Sequence, residues 1–294
     1  MMKKTSSYRA LFFLLGLLLS LNLFAQNAII PNTNLKNSIG FIENKGQVHD
    51  QNYQPNQDVK YLLNLKNGLN VQLRVNGFSY DLYSVDSREL KINLDEYLGD
   101  SNKHIEFTYN FHRVDIELLN ANPFHEIVPE DPSMEYLNFY NNVADNAGVD
   151  FVRSFGKVTY RNIYHGIDLE FIANSDSEKA FEYNFIIHPG ADASDIRIKY
   201  NGADRTKLIG DKIYIETAFA NLNESIPRSI ILEENIDVKV QYICYGDDIY
   251  GFSIPHIDRN VTLFIDPFPQ LLWASYYGGL DVDIGYDIIF DSGH

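Results

Sequence analysis

Cysteine is almost missing from this chain of 294 residues: Cys244 stands alone, so no disulfide can form within it. Stability therefore has to come from the size of the core rather than from covalent staples. Positive charge is scarce as well, with 24 Lys and Arg against 40 Asp and Glu and a net charge of −16. Three of the basic residues, Lys3, Lys4 and Arg9, precede Gln26 and no acidic residue does. The chain from Gln26 onward thus holds 21 basic and 40 acidic residues, a net charge of −19. Such a balance repels phosphate backbones and anionic lipid, which excludes nucleic acid as a partner and leaves divalent cations or basic partners as attractive ones. Apolar runs of membrane-spanning length are missing after residue 25, so no transmembrane segment is expected there. Gly-x-Ser-x-Gly, His-Glu-x-x-His, Walker-type loops and Cys-x-x-Cys are missing too. The expectation is a protein that is not an enzyme and carries no organic cofactor.

The first residues have the layout of a secretory signal peptide. A basic start with Lys3, Lys4 and Arg9 leads into the apolar run Leu11–Leu23, followed by Phe24-Ala25-Gln26. Ala25 is the small residue before the cut, which places cleavage between Ala25 and Gln26. The run is too short for a stop-transfer helix, and an uncleaved anchor is the competing reading. No cysteine sits at the cleavage site, which excludes a lipoprotein anchor. The protein is therefore expected to be secreted or to sit at the cell surface.

Aromatic residues are abundant, with 20 Tyr and 19 Phe, and hydrophobic residues make up 45% against 22% charged. That composition suits a packed core and favours the half-buried surface of a β-sheet. Period-2 alternation recurs along the chain. Val71–Val75 alternates, Asn76-Gly77 offers a hairpin turn, and Phe78–Tyr83 alternates again. Ile105–Leu119 is a long alternating stretch, and Phe181, Tyr183, Phe185 and Ile187 share one face. Ile196, Ile198 and Tyr200 continue the pattern, as do Ile213 and Ile215 and the set Val238, Val240, Tyr242 and Cys244. Glu89–Leu98 is a candidate short helix. Asn120–Gly156, with Pro123, Pro129 and Pro132, reads as a long irregular connection with a boundary near Asp150. The expected fold is all-β: antiparallel β-sandwich subdomains followed by the start of a β-propeller-type repeat. Its parts are a signal peptide (1–25), a linker (26–39), a first β subdomain (40–150), a second β-sandwich subdomain (151–268) and a truncated repeat (269–294).

Several segments carry a family resemblance. Phe41-Ile-Glu-Asn-Lys-Gly-Gln47 resembles the opening signature of an N-terminal domain of unknown function found in secreted Bacteroidota cell-surface proteins. Gly156–Tyr160, Tyr164–Phe171, His188–Asp192, Ser225-Ile-Pro227 and Phe264–Pro267 are similar to later motifs of the same family, in the same order. Trp273–Phe290 resembles the start of an SBBP repeat, the β-propeller-type repeat that commonly comes after this domain. The resemblance implies a piece of a large exported protein, of the kind that carries further repeats, immunoglobulin-like modules and a type IX sorting domain. It implies no catalytic residues.

Asp281-x-Asp283-x-Gly285-x-Asp287 spaces carboxylates at alternate positions around a glycine. Asp281, Asp283 and Asp287 are therefore candidate ligands for calcium, a hard cation that takes six to eight oxygens. Asp291 does not fall at the distance of the further acidic ligand, and a solvated loop is the competing account. His165, Asp168 and Glu170 lie close enough in sequence for a metal or acid–base site, against which stands a plain solvated strand face. Pro189-Gly190 predicts a turn, with Asp192 or Ser194 capping a second short turn before Ile196, and Glu43–Gln47 predicts a tight turn. Cys244, on the apolar face with Val240 and Tyr242, is expected to be buried. Exposed Tyr or Phe would stack on sugar rings. These readings converge on a non-enzymatic structural or adhesion module of a larger exported protein; the alternative is an extracellular glycan- or ligand-binding module. N-terminal sequencing of protein recovered outside producing cells is expected to start at Gln26; a chain that keeps Met1–Ala25 establishes the uncleaved anchor instead.

Overall fold

The computed structural model describes residues 40–50, 54–65, 68–90, 104–140, 148–174, 180–218 and 220–274. The first half supplies β1 (Phe41–Glu43), β2 (Val59–Asn64), β3 (Leu69–Arg74), β4 (Gly77–Leu90), β5 (His104–Leu118), β6 (Glu126–Pro132), β7 (Leu137–Phe139) and β8 (Val149–Val152). Next come β9 (Ser154–Tyr164), β10 (Ile167–Ala173), β11 (Phe181–Ile187), β12 (Ile198–Asn201), β13 (Arg205–Ile209) and β14 (Lys212–Glu216). The series ends with β15 (Ala220–Ile231), β16 (Ile236–Asp237), β17 (Gln241–Gly246), β18 (Ile249–Ser253) and β19 (Leu263–Ala274). One short 3-10 turn, Ala193–Asp195, precedes β12, and among the described residues there is no α-helix. The all-β expectation holds.

All pairings are antiparallel. They run β17–β18–β12–β5–β4–β3–β2–β1–β9–β10–β11–β19–β15–β14–β13, with β6 added along β9 and β16 along β15. The pair β7–β8 stands apart as its own small sheet. Strict alternation gives the large sheet one dry face. In β3, Leu69, Val71 and Leu73 point inward while Asn70, Gln72 and Arg74 point outward; Phe78, Tyr80 and Leu82 do the same in β4.

The inner face is one hydrophobic cluster. It runs from Phe41 and Leu63 through Val114 and Ile116 to Tyr183, Ile213, Leu222 and Ile265. Aromatic edge-to-face contacts knit it together, with Phe78 set 5.3 Å from Phe171 and 5.1 Å from Tyr183, ring centre to ring centre.

Three expectations about organisation change. The boundary near Asp150 is not a division of the core. β1 pairs with β9, β5 pairs with β12, and residues from both sides share one cluster. The described residues of 120–156 include β6, β7, β8 and the start of β9, and β6 lies on an edge of β9 where Pro129 and Pro132 need not donate to a further neighbour. Residues 269–274 continue β19, which pairs with β15 out to Ala220 opposite Ala274. Glu89 and Leu90 complete β4, and the rest of the candidate helix lies outside the described residues, as do Ala25, Gln26 and the segment 275–294.

The turn between β3 and β4 exposes a steric requirement. A Cβ on Gly77 would sit 2.1 Å from the carbonyl oxygen of Ile116 on the neighbouring strand, whereas a Cβ on Gly210, where φ is +63°, would meet nothing within 4 Å. Gly77→Ala is expected to cost about 2–4 kcal/mol through backbone displacement. Gly210→Ala should cost only about 1–2 kcal/mol from its left-handed conformation. Urea unfolding midpoints of the two variants check the order, and equal losses would contradict the clash.

Candidate functional site

Two groups of interlinked polar side chains among the described residues join several strands of the sheet. The first is inside the core. β15 places Leu222 and Glu224 on the same inward face, and Glu224 is fully buried. Three tyrosines close over it. Tyr80 of β4 donates to Glu224 Oε1 at 2.7 Å, while Tyr183 of β11 and Tyr200 of β12 both donate to Oε2 at 2.6 Å. Burial raises the Glu224 carboxyl above its ordinary 4.5, and the three hydroxyls oppose that shift without cancelling it. The tyrosine hydroxyls are themselves pushed up, by burial first and then by the carboxylate. The three donors to Glu224 among the described residues all come from the walls of the core. The one trace of this cluster in the sequence is parity, since a strand that turns Leu222 inward must turn Glu224 inward as well.

The second group lies on the outward face of β3, β4, β5 and β12. Ser79 lies at its centre, fully covered; its hydroxyl donates to Asp115 Oδ1 at 2.7 Å and accepts from Arg113 Nη2 at 3.1 Å. Arg113 Nε donates to the same Asp115 Oδ1 at 2.6 Å. Gln72 donates to Asp81, and Arg74 lies 3.6 Å from Asp115. Burial would raise the Asp115 carboxyl, but the hydrogen bonds from Ser79 and Arg113 outweigh it and hold it below its ordinary value. At Asp81 burial prevails over Arg113, and its carboxyl is raised.

The polar lattice runs directly into an aromatic strip. β3 meets β4 no further than Leu82, and β12 meets β5 no further than Asp115, so past these points β4 and β5 pair, among the described residues, only with each other. On this two-stranded ribbon Tyr83 stands opposite Phe111, and Val85 opposite Tyr109. Tyr109 and Phe111 are 57% and 62% exposed, with ring centres 6.4 Å apart and planes within 17°. Tyr83, whose hydroxyl donates to the Leu65 carbonyl, stands 6.2 Å from Phe111. Contiguous exposed aromatics on a rigid support mark contact surfaces.

The sites read from sequence fare differently. Asp281, Asp283 and Asp287, the candidate calcium ligands, lie outside the described residues. His165, Asp168 and Glu170 do not come together. Asp168 instead meets His188 at 2.9 Å and the Asn162 N–H at 2.6 Å, and Glu170 pairs with Lys157 at 3.2 Å. Among the described residues no group of three or more His, Cys, Asp or Glu is placed to hold a metal ion, and no helix is long and apolar enough to cross a membrane. His188 also borders a cleft of about 430 Å³ with Asp192, His256 and Arg259. Asp192 caps the turn Ala193–Asp195 by accepting from the Ser194 N–H at 2.9 Å, as expected.

Cys244 is exposed, contrary to expectation. Its strand, β17, pairs only with β18 among the described residues. The buried side of β17 ends at Tyr242, and the register shifts between Cys244 and Gly246.

The motif Phe41–Gln47 has a structural explanation. Asn44 Oδ1 accepts from the N–H groups of Gly46 and Val48 at 2.8 and 3.3 Å, and its Nδ2 donates to the carbonyls of Asn56 and Val59 at 2.8 Å. Phe41 is fully buried, Glu43 accepts from the Arg153 N–H at 2.8 Å, and Lys45 reaches the Phe151 carbonyl at 2.8 Å. Phe41, Glu43 and Asn44 tie the first strand to its surroundings in the large sheet, and Lys45 links it to β8 of the small one.

The model of a family described as a domain of unknown function, DUF7948, matches residues 41–268. No curated protein and no solved structure matches the chain.

Removing the Glu224 carboxylate separates its two effects. Glu224→Leu leaves three buried hydroxyls without their acceptor and is expected to cost roughly 3–5 kcal/mol in urea unfolding. Glu224→Gln keeps the shape but not the proton. Because the folded carboxyl titrates above 4.5, folding favours its protonated form. Wild-type stability should therefore fall as pH rises from 4.5 through the folded value, and Glu224→Gln should lack that component of the slope. Identical pH profiles for wild type and Glu224→Gln would refute the assignment.

Proposed function

The chain belongs to the DUF7948 family of domains of unknown function, and on that premise we propose that it is a non-enzymatic adhesion and structural module of a larger exported protein. In this reading Met1–Ala25 is removed on export. The sheet lies outside the cell, and an SBBP-type β-propeller repeat of the Bacteroidota surface-protein kind comes after it. The order of the motifs from Phe41 to Pro267 and the basic–apolar–small layout of the first 25 residues support this reading.

The observation that carries the adhesion reading is the outward face of β3, β4, β5 and β12. There a fixed polar lattice adjoins exposed Tyr109 and Phe111 on a ribbon projecting past the sheet. A contact surface on a rigid scaffold is what an adhesion module needs. The non-enzymatic reading is supported by the fate of Glu224. This carboxylate is raised in its titration, but it is sealed by three tyrosines and faces no substrate. Glycan or other ligand binding at the same outer face is the second reading, favoured by the near-parallel exposed rings.

The purified secreted protein is expected to be retained on beads coated with washed bacterial envelopes or with animal extracellular matrix, and to release no soluble product from them. Tyr109→Ser with Phe111→Ser should lower retention at least about fivefold while leaving the unfolding midpoint unchanged, since both rings are exposed. Equal retention of wild type and double variant would remove this face from the account.

A further inference from the structure

We infer that the outer face binds a neutral carbohydrate, a chain of pyranose rings laid along the aromatic strip and into the polar lattice of β3, β4 and β5. This inference rests on the adhesion reading of that face. Tyr109 and Phe111, both exposed, with ring centres 6.4 Å apart and planes within 17° of each other, present two near-parallel aromatic rings to solvent. The C–H face of a pyranose matches such a ring, and the positive edge of C–H bonds meets the negative face of the ring. A sugar must also have its hydroxyls satisfied, and the lattice beside the rings can do this. Arg113 spends Nε and Nη2 within the lattice, and the contacts of Asp115 all fall on Oδ1. Arg113 Nη1 and Asp115 Oδ2 are left uncommitted among the described residues, on side chains that are 36% and 34% exposed. A donor and an acceptor side by side are the complement of two neighbouring hydroxyl groups, each of which both donates and accepts.

Charge selects among ligands. The lattice sets two guanidinium groups, Arg74 and Arg113, against Asp81 and Asp115, and Arg74 lies 3.7 Å from a third carboxylate, Asp58, within a chain of net charge −16. An anionic ligand meets Asp81 and Asp115 and the field of the whole chain. A cationic ligand meets the two arginines. A neutral polyol meets neither penalty. The lattice is also held in place before any ligand arrives, because the covered Ser79 hydroxyl joins Arg113 to Asp115. Little side-chain order is then lost on binding.

Isothermal titration of the full secreted chain with neutral hexasaccharides of glucose, xylose, mannose and galactose, in α- and β-linked forms, tests the inference. At least one series should bind saturably. Its affinity should be the same at about 0.05 M and about 0.5 M NaCl, as expected where no charge is neutralised. Tyr109→Ala and Phe111→Ala should each weaken it at least tenfold, Arg113→Ala should weaken it similarly, and Phe124→Ala, exposed elsewhere, should leave it unchanged. Far-UV circular dichroism and the unfolding midpoint confirm that each variant is folded. Absence of saturable binding by every hexasaccharide overturns the inference, as does binding that is insensitive to Tyr109 and Phe111. If those two rings still control retention on the coated beads while no hexasaccharide binds, the face stands and the carbohydrate is wrong. If neither measurement responds to the rings, the adhesion reading of the face falls too.

Discussion

Tyr80, Tyr183 and Tyr200 reach Glu224 from three strands and donate their hydroxyls to one carboxylate that water does not touch. A lone buried carboxylate would cost several kcal/mol, and hydrogen bonds to a charged acceptor return about 1.5–3 kcal/mol each. The cluster is tolerable only when all three hydroxyls arrive together. That condition fixes which residues of β4, β11, β12 and β15 face inward, because a slip of one residue in any of these strands would turn its partner outward. The rest of the inner face can then be packed with interchangeable aromatic and branched side chains. Position is set by the polar group, and bulk stability comes from the apolar ones around it.

The same residue types do opposite things on the two sides of the sheet. Inside, tyrosine rings fill the core, and the hydroxyls of Tyr80, Tyr183 and Tyr200 are taken by Glu224. Outside, Tyr109 and Phe111 have no such employment, because the ribbon of β4 and β5 has run past the strands that would have covered it. The polar lattice at the root of the ribbon holds that surface in register with the rigid sheet. Gln72, Ser79, Asp81, Arg113 and Asp115 come from three adjacent strands, so the lattice stiffens the place where ribbon and sheet meet.

Much of this architecture was legible in the sequence wherever burial is one-sided. The alternation in Val71–Val75, Phe78–Tyr83 and Phe181–Ile187 survives intact, because each of these stretches has one face in the core. What failed depended on distant partners. The prolines of Asn120–Gly156 suggested irregularity, but an edge strand accepts them and β6 is such a strand. A boundary near Asp150 followed from local composition, and the pairing of β5 with β12 that abolishes it has no local signature. Cys244 has the parity of a core residue yet lies beyond the place where the core ends. The contact face was half legible. The alternation of Ile105–Leu119 was plain, but alternation alone does not tell whether a neighbouring strand covers the aromatic side. Glu224 was missed because a single acid in Asn221–Ser225 reads as a polar position until its inward parity is known.

Among the described residues, the ribbon of β4 and β5 carries no residue of the core past Leu82. Its length is therefore decoupled from the fold that supports it. A two-stranded ribbon that, among the described residues, meets other strands only at its root can be lengthened or shortened for little more than the small entropic cost of a longer loop. The inner cluster sets the fold, and the reach and surface of the ribbon are free to change without disturbing it.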